Sequence, residues 1–205
     1  MIMEISVEEK IIDAAREVFF EKGYSGATMR DIASKAEVNL ALLHYYYRTK
    51  EKIFDIVLNQ AFVTLFKRLN KVFTSDVDIF RKIELMVESY IGVGIKHPQL
   101  PGFVIHELEV NKMLVHPLIL KYKEEQNATK NLSVFYADVQ NAIDNKIIKP
   151  IDIDSLFVDI LSLSLFPFMA KNFLSGIVLD NKKYNHFIRE RSKYVSSFIV
   201  DSIKV

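Results

Sequence analysis

An all-α fold is predicted for this chain by three features of its sequence. Apolar residues recur at three- and four-residue spacing, no stretch sustains the strict alternation of a strand, and helix-starting or helix-stopping residues fall at the ends of the apolar stripes. The pattern reads as about nine helices. The first three form a compact N-terminal domain, residues 1–48, and the rest a larger helical domain, residues 49–205.

Ser6 and Glu9 read as a capping box that opens the first helix. Its stripe is Ile11, Ala15, Val18 and Phe19, flanked by Ile12 and Phe20, and Gly23 supplies its end. Thr28 caps a second helix with Asp31 three residues on, and Ile32, Ala33 and Ala36 give that helix an inner face. Glu37 and Val38 make a tight turn, after which Asn39 caps a third helix of about two turns, Leu40 to Tyr46. Thr49 caps the fourth, a long amphipathic helix running from Ile53 through Leu58, Phe62 and Phe66 to Leu69 without proline or glycine. A helix in place of a flexible linker can pass movement from one part of a chain to another.

Ser75 or Asp76 is the expected cap of the next helix, which carries Ile79, Ile83, Met86, Val87, Tyr90 and Ile91 and ends between Gly94 and His97. Pro98, Pro101 and Gly102 break the chain, and a shorter helix is expected from Phe103 to about Leu114. The His116-Pro117 pair should restart a long helix that reaches about Asn145, with proline in its first turn. Beyond the break at Lys149-Pro150 lie two further helices, 154–175 and 181–203, with Gly176 between them.

Two short helices joined by a tight turn form a helix-turn-helix pattern, whose second helix lies in the DNA major groove. The residues at the end of that helix and just beyond it are more specific. His44, Tyr45, Tyr46, Tyr47, Arg48, Thr49, Lys50 and Lys52 fall within nine positions. Phenol, hydroxyl and cationic groups hydrogen-bond phosphate oxygens, and the free amides at the start of the fourth helix add an anion site. Tyr45 and Tyr47 should serve partly as aromatic glue for the small domain, a role that does not need the flanking cations.

The segment from about Lys10 to Phe54 resembles the DNA-binding domain of the TetR family of bacterial transcriptional regulators. The matching pieces are IIDAAREVFFEKGY, ATMRDIASKAEVN and LHYYYRTKEKIF, in order and without a gap. His44 stands where the family usually has its first tyrosine, Tyr46 where it usually has histidine, and Glu37 at a turn position often held by glycine. The resemblance implies a homodimeric regulator, most often a repressor, on a palindromic operator. By position within the motif, Arg30 and Asn39, Leu40, Ala41 and Leu42 should face base edges. Thr28, His44, Tyr46 and Lys50 should grip phosphates, with Tyr45 beside them. The three apolar residues would touch thymine methyls, and Arg30 would meet a guanine.

Composition narrows the alternatives. The 205 residues are 50% hydrophobic and 26% charged, far from a disordered composition, and without cysteine neither disulfides nor thiolate metal sites can form. The acidic N-terminus lacks the apolar core of a signal peptide, so a cytoplasmic protein is expected. The most apolar run, Ile160 to Ala170, is too short to span a bilayer, so no membrane association is expected. The net charge of +1 hides an asymmetry: Met1 to Ala27 carries three basic and six acidic residues, whereas Thr28 to Lys52 carries five basic and three acidic. The five histidines form no HExxH array, and no glycine-rich phosphate loop or nucleophile elbow occurs, so neither an enzyme nor a cofactor is expected.

A ligand chamber in the larger domain is expected instead, since helices interrupted at Pro101, Pro117 and Pro167 leave gaps. Its candidate lining is Phe62, Phe66, Met86, Tyr90, Phe103, Tyr122 and Phe166, with Phe135 and Met169 nearby, although most of these must be plain core. Tyr90, His106 and Glu107 are its candidate polar anchors. An apolar or aromatic effector follows from that composition. Helices 154–175 and 181–203 are apolar on more than one side, and a second copy of the chain is the simplest cover for the surplus. The rival reading is a helical small-molecule carrier or enzyme whose first three helices are only structural.

Overall fold

A computed structural model describes residues 6–205. Among them the regular structure is helical throughout, apart from one antiparallel bridge between Ile148 and Lys204. The helices are α1 (Val7–Gly26), α2 (Met29–Lys35), α3 (Leu40–Tyr46), α4 (Lys50–Phe73), α5 (Ile79–Lys96), α6 (Leu100–Val110), α7 (Lys112–Glu125), α8 (Ala128–Asp144), α9 (Ile153–Met169), α10 (Lys171–Phe173) and α11 (Asn181–Ile203). The last turn of α10 runs into a single π turn, Leu174–Val178, which contains Gly176. The expected all-α class holds, with eleven helices instead of about nine.

Two compact units divide the chain. One comprises the described residues up to Val63 together with Phe103–Tyr122; the other comprises Thr64–Gly102 and Lys123–Val205. The first is built on Ile11, Phe19, Ile32, Leu43 and Phe54, all without solvent exposure. The second gathers Ile83, Met86, Val87 and Ile91 of α5, Phe135 and Val139 of α8, Leu156 and Ile160 of α9, and Val195 and Ile199 of α11 into one core.

Local signals set most helix starts. Ser6 and Glu9 form their capping box, as do Thr28 and Asp31, and Asn39 accepts the Leu42 N–H at 2.7 Å. Gly23 departs from helical geometry at φ 67°, ψ 173°, and the chain makes one further turn before Ala27. Glu37 sits at φ 53° just past α2, where the Val38 N–H returns to the Ala33 carbonyl and the Glu37 N–H to that of Ser34. That pair of bonds is a Schellman motif, the helix ending that normally selects glycine. Its left-handed backbone costs a glutamate roughly 1 kcal/mol.

Four expectations about the other helix ends need correction. Asp78 caps α5, accepting the Phe80 and Arg81 N–H groups at 3.0 Å, while Ser75 donates back to the Val72 carbonyl at the end of α4. Helix α6 starts at Leu100 and ends at Val110, since Pro101 in its first turn needs no acceptor for an N–H it lacks. The long helix expected from Pro117 to Asn145 is two helices: α7 carries Pro117 inside it, and Asn127 at φ 50° separates it from α8. Helix α9 ends at Met169, not at Ser175, yet it continues through Pro167. Pro167 cannot donate to the Leu163 carbonyl. The Arg191 guanidinium of α11 does so instead, through Nε at 3.2 Å and a terminal nitrogen at 2.9 Å.

Candidate DNA interface and effector core

The second helix of the helix-turn-helix is held from one side only. Leu43 is fully buried and fixes α3 to the first unit, Leu40 and Leu42 are half-buried, and Ala41, His44 and Tyr45 are exposed. Tyr45, 80% exposed, meets the Tyr46 ring edge-on at 5.4 Å. His44 Nδ1 lies 3.3 Å from the Arg48 carbonyl, which orients the imidazole at the C-terminal end of α3.

Arg30 is exposed and makes no ion pair among the described residues, so its guanidinium is free to donate. Thr28, also exposed, donates its hydroxyl to Asp31 at 2.7 Å while accepting the Asp31 N–H at 3.1 Å. The Lys22 ammonium, 2.6 Å away, and the Thr28 hydroxyl hold the Asp31 carboxyl down at about 2.

Lys50 takes a different position from its neighbours. Its ammonium donates to the Tyr24 and Ala27 carbonyls at 2.7 and 2.9 Å and lies 4.2 Å from the centre of the Tyr24 ring. Two of its three N–H groups are thereby committed to the α1–α2 connection. Tyr24 in turn donates its hydroxyl to Glu51 at 2.7 Å, and burial together with that carboxylate pushes the phenol up to about 12.

The candidate effector residues fall in both units. In the first, the Phe62 and Tyr122 rings lie 6.1 Å apart, and the Tyr122 hydroxyl donates to the carboxylate and carbonyl of Asp55. Phe103 packs on Phe20 and Phe54 at 5.0 and 6.0 Å. His106 is exposed whereas Glu107 is fully buried, so the two adjacent side chains occupy unlike surroundings. In the second unit Met86 and Tyr90 share the core, Phe66 is half-buried and Phe166 is exposed. Burial alone raises the Tyr90 phenol, with no hydrogen bond or charge contributing.

Three residues escaped notice in the sequence. Ser164 is fully buried, and among the described residues its hydroxyl has no hydrogen-bond partner. The signal for it was its place on the four-residue stripe Leu156, Ile160, Ser164, Phe168, where every other member is apolar. Arg191 carries no such local signal, since its partner Leu163 lies far away in the chain, and Asn111 joins a partner four residues away, Glu107, to a distant one, Ser25. Among the described residues no group of three or more His, Asp or Glu side chains could hold a metal ion. No single helix there is long and apolar enough to cross a membrane.

Residues 11–57 match the model of the bacterial regulatory proteins, tetR family. The "Probable HTH-type transcriptional regulator YttP" of Bacillus subtilis is 22% identical over 178 residues, 86% of this chain and 84% of that protein. The biofilm operon icaADBC HTH-type negative transcriptional regulator IcaR of Staphylococcus epidermidis is 29% identical over 133 residues, covering 57% of this chain and 69% of its own. Among solved structures, the ketosteroid transcriptional regulator KstR2 of Mycobacterium tuberculosis superposes with a TM-score of 0.74 at 17% identity, over 99% of this chain and 97% of that one.

Proposed function

We propose that the chain, whose residues 11–57 match the tetR family model, is a DNA-binding transcriptional regulator of that family, a ligand-responsive repressor that binds a palindromic operator as a homodimer. The observation that carries this reading is α3, pinned by Leu43 with Ala41, His44 and Tyr45 turned outward. Arg30 and the residues from Asn39 to Leu42 read base edges, and Thr28, His44, Tyr45 and Tyr46 hold the backbone. Lys50 adds at most one N–H to a phosphate and otherwise fixes the α1–α2 connection. Repression accords with the word "negative" in the name of the staphylococcal relative.

The reader is residues 1–48, and residues 49–205 carry effector binding and dimerisation in the cytoplasm. Dimerisation uses α9 and α11, which leave Val158, Phe166, Tyr194 and Phe198 more than half exposed in a single chain. The effector is an apolar or aromatic small molecule, and the Tyr90 hydroxyl is its first polar anchor. Its binding shifts α4 and changes the separation of the two recognition helices from about 34–36 Å, or a multiple of it.

Selection of bound DNA from a random pool tests the reading. A two-fold symmetric site is expected, with affinity that falls steeply with salt. Arg30→Ala should relax the preference at one base pair per half-site, whereas Tyr46→Ala should weaken all sequences alike. A purified protein that is monomeric, or that shows no DNA binding at low salt, would overturn it.

A further inference from the structure

Glu107 is a fully buried carboxylate in the first unit with no cation paired to it among the described residues. Its oxygens are both engaged by neutral donors: the Tyr24 N–H at 2.9 Å and the Asn111 side-chain amide at 2.7 Å. The Tyr24 N–H needs this acceptor because Gly23, at φ 67°, has turned the chain out of the helix. Asn111 extends the grip by accepting the Ser25 hydroxyl at 3.0 Å. The approach is close, since a Cβ at Gly23 would stand 3.1 Å from the Glu107 carboxylate. Three residues beyond Ser25, Thr28 begins α2.

We propose that Glu107, with Asn111 behind it, is a positioning residue that latches the Gly23–Ser25 bend to α6 and so sets the orientation in which α2 and α3 meet DNA. This assigns Glu107 to DNA affinity, not to a ligand, and it rests on the DNA-binding reading above. A carboxylate suits this role, because charged acceptors make the stronger hydrogen bonds and a buried one left without donors is costly. The bend is therefore held in one geometry. Lys50 grips the other side of the same residue at the Tyr24 carbonyl, so Tyr24 is fixed through both of its backbone polar groups.

The test uses the full-length protein and DNA selected by the wild type. Glu107→Ala should weaken binding by about tenfold or more, the equivalent of one lost charge-assisted hydrogen bond, and should abolish hydrogen-exchange protection of the Tyr24 amide. Glu107→Gln, which keeps an acceptor for Tyr24 and can still pair with Asn111, should recover most of both. Ser25→Ala, which removes only the exposed outer bond of the latch, should weaken binding less than Glu107→Ala does. Should Glu107→Ala fail to fold, the Gln variant and the Tyr24 amide in the wild type still decide the matter. Wild-type affinity in a folded Glu107→Ala protein, or a Tyr24 amide that exchanges freely in the wild type, overturns the latch and leaves the regulator reading intact. A wild type that binds no DNA overturns both.

Discussion

The helix-turn-helix and the α5–α9–α11 core are both helical, but they are specified differently. In the first, helices of seven residues are too short to be stable alone, and both of their starts are fixed by a polar side chain within three residues: Thr28 with Asp31, and Asn39 with Leu42. In the second, helices of 17 to 23 residues also start at side-chain caps, Asp78, Asp152 and Asp180, but their length is placed by apolar side chains that meet from distant parts of the chain. The contrast teaches that the region which must present a rigid small surface to a partner spends its polar groups on local geometry. The region expected to adapt to a ligand relies on packing.

Variants can break or sharpen that contrast. The largest effects should come from core truncation, about 2–5 kcal/mol for either Leu43→Ala or Ile160→Ala. Both should lower the thermal midpoint, yet only Leu43→Ala should abolish DNA binding measured well below the transition. Next, Arg191→Met should cost about 1–3 kcal/mol, because the Leu163 carbonyl freed by Pro167 then has no donor. Calorimetry should show that loss, and exchange protection should fall along α9 and not in α3.

Cap removal is smaller, about 1 kcal/mol for Thr28→Ala or Asp152→Ala. The two should match in denaturant midpoint and differ in DNA affinity, which only Thr28→Ala should weaken. Smallest is an acid effect at Asp31, whose folded carboxyl titrates at about 2 against an ordinary 3.8. A depressed carboxylate stabilises above its unfolded value and ceases to do so as pH falls through its folded one. The stabilisation is therefore complete above about pH 4 and lost between about 4 and 2. Asp31→Asn should flatten that stretch of the stability-against-pH curve.

Sequence reading served the two regions unequally, for the same reason. Capping boxes, the N-cap at Asn39 and the bend at Gly23 are contained in a few consecutive residues, so the helix-turn-helix could be drawn almost to the residue. The break at Asn127 could not, because no proline or glycine marks it and only the left-handed backbone reveals it. Pro167 pointed to an interruption because its remedy, Arg191, lies in another helix. Side-chain direction was the other hidden quantity. Lys50 stands in a basic run that suggests phosphate, while the carbonyls of Tyr24 and Ala27 that turn it inward belong to a bend over twenty residues earlier. Glu107, beside His106, reads in the sequence as a ligand anchor, and its bond to the Tyr24 N–H, 83 residues earlier, is visible only in the fold.

The substitution of Arg191 for a missing amide hydrogen has a mechanical corollary. Because α9 completes its ladder with a group anchored on α11, neither helix can bend or slide near Pro167 without breaking a bond owned by the other. Tyr184 adds a second rivet, its hydroxyl on the Pro167 carbonyl at 3.0 Å. The pair behaves as one plate. In the dimer proposed above, a mating surface drawn on that plate would keep its shape while side chains behind it rearrange, so the two copies would stay joined whether or not DNA is held.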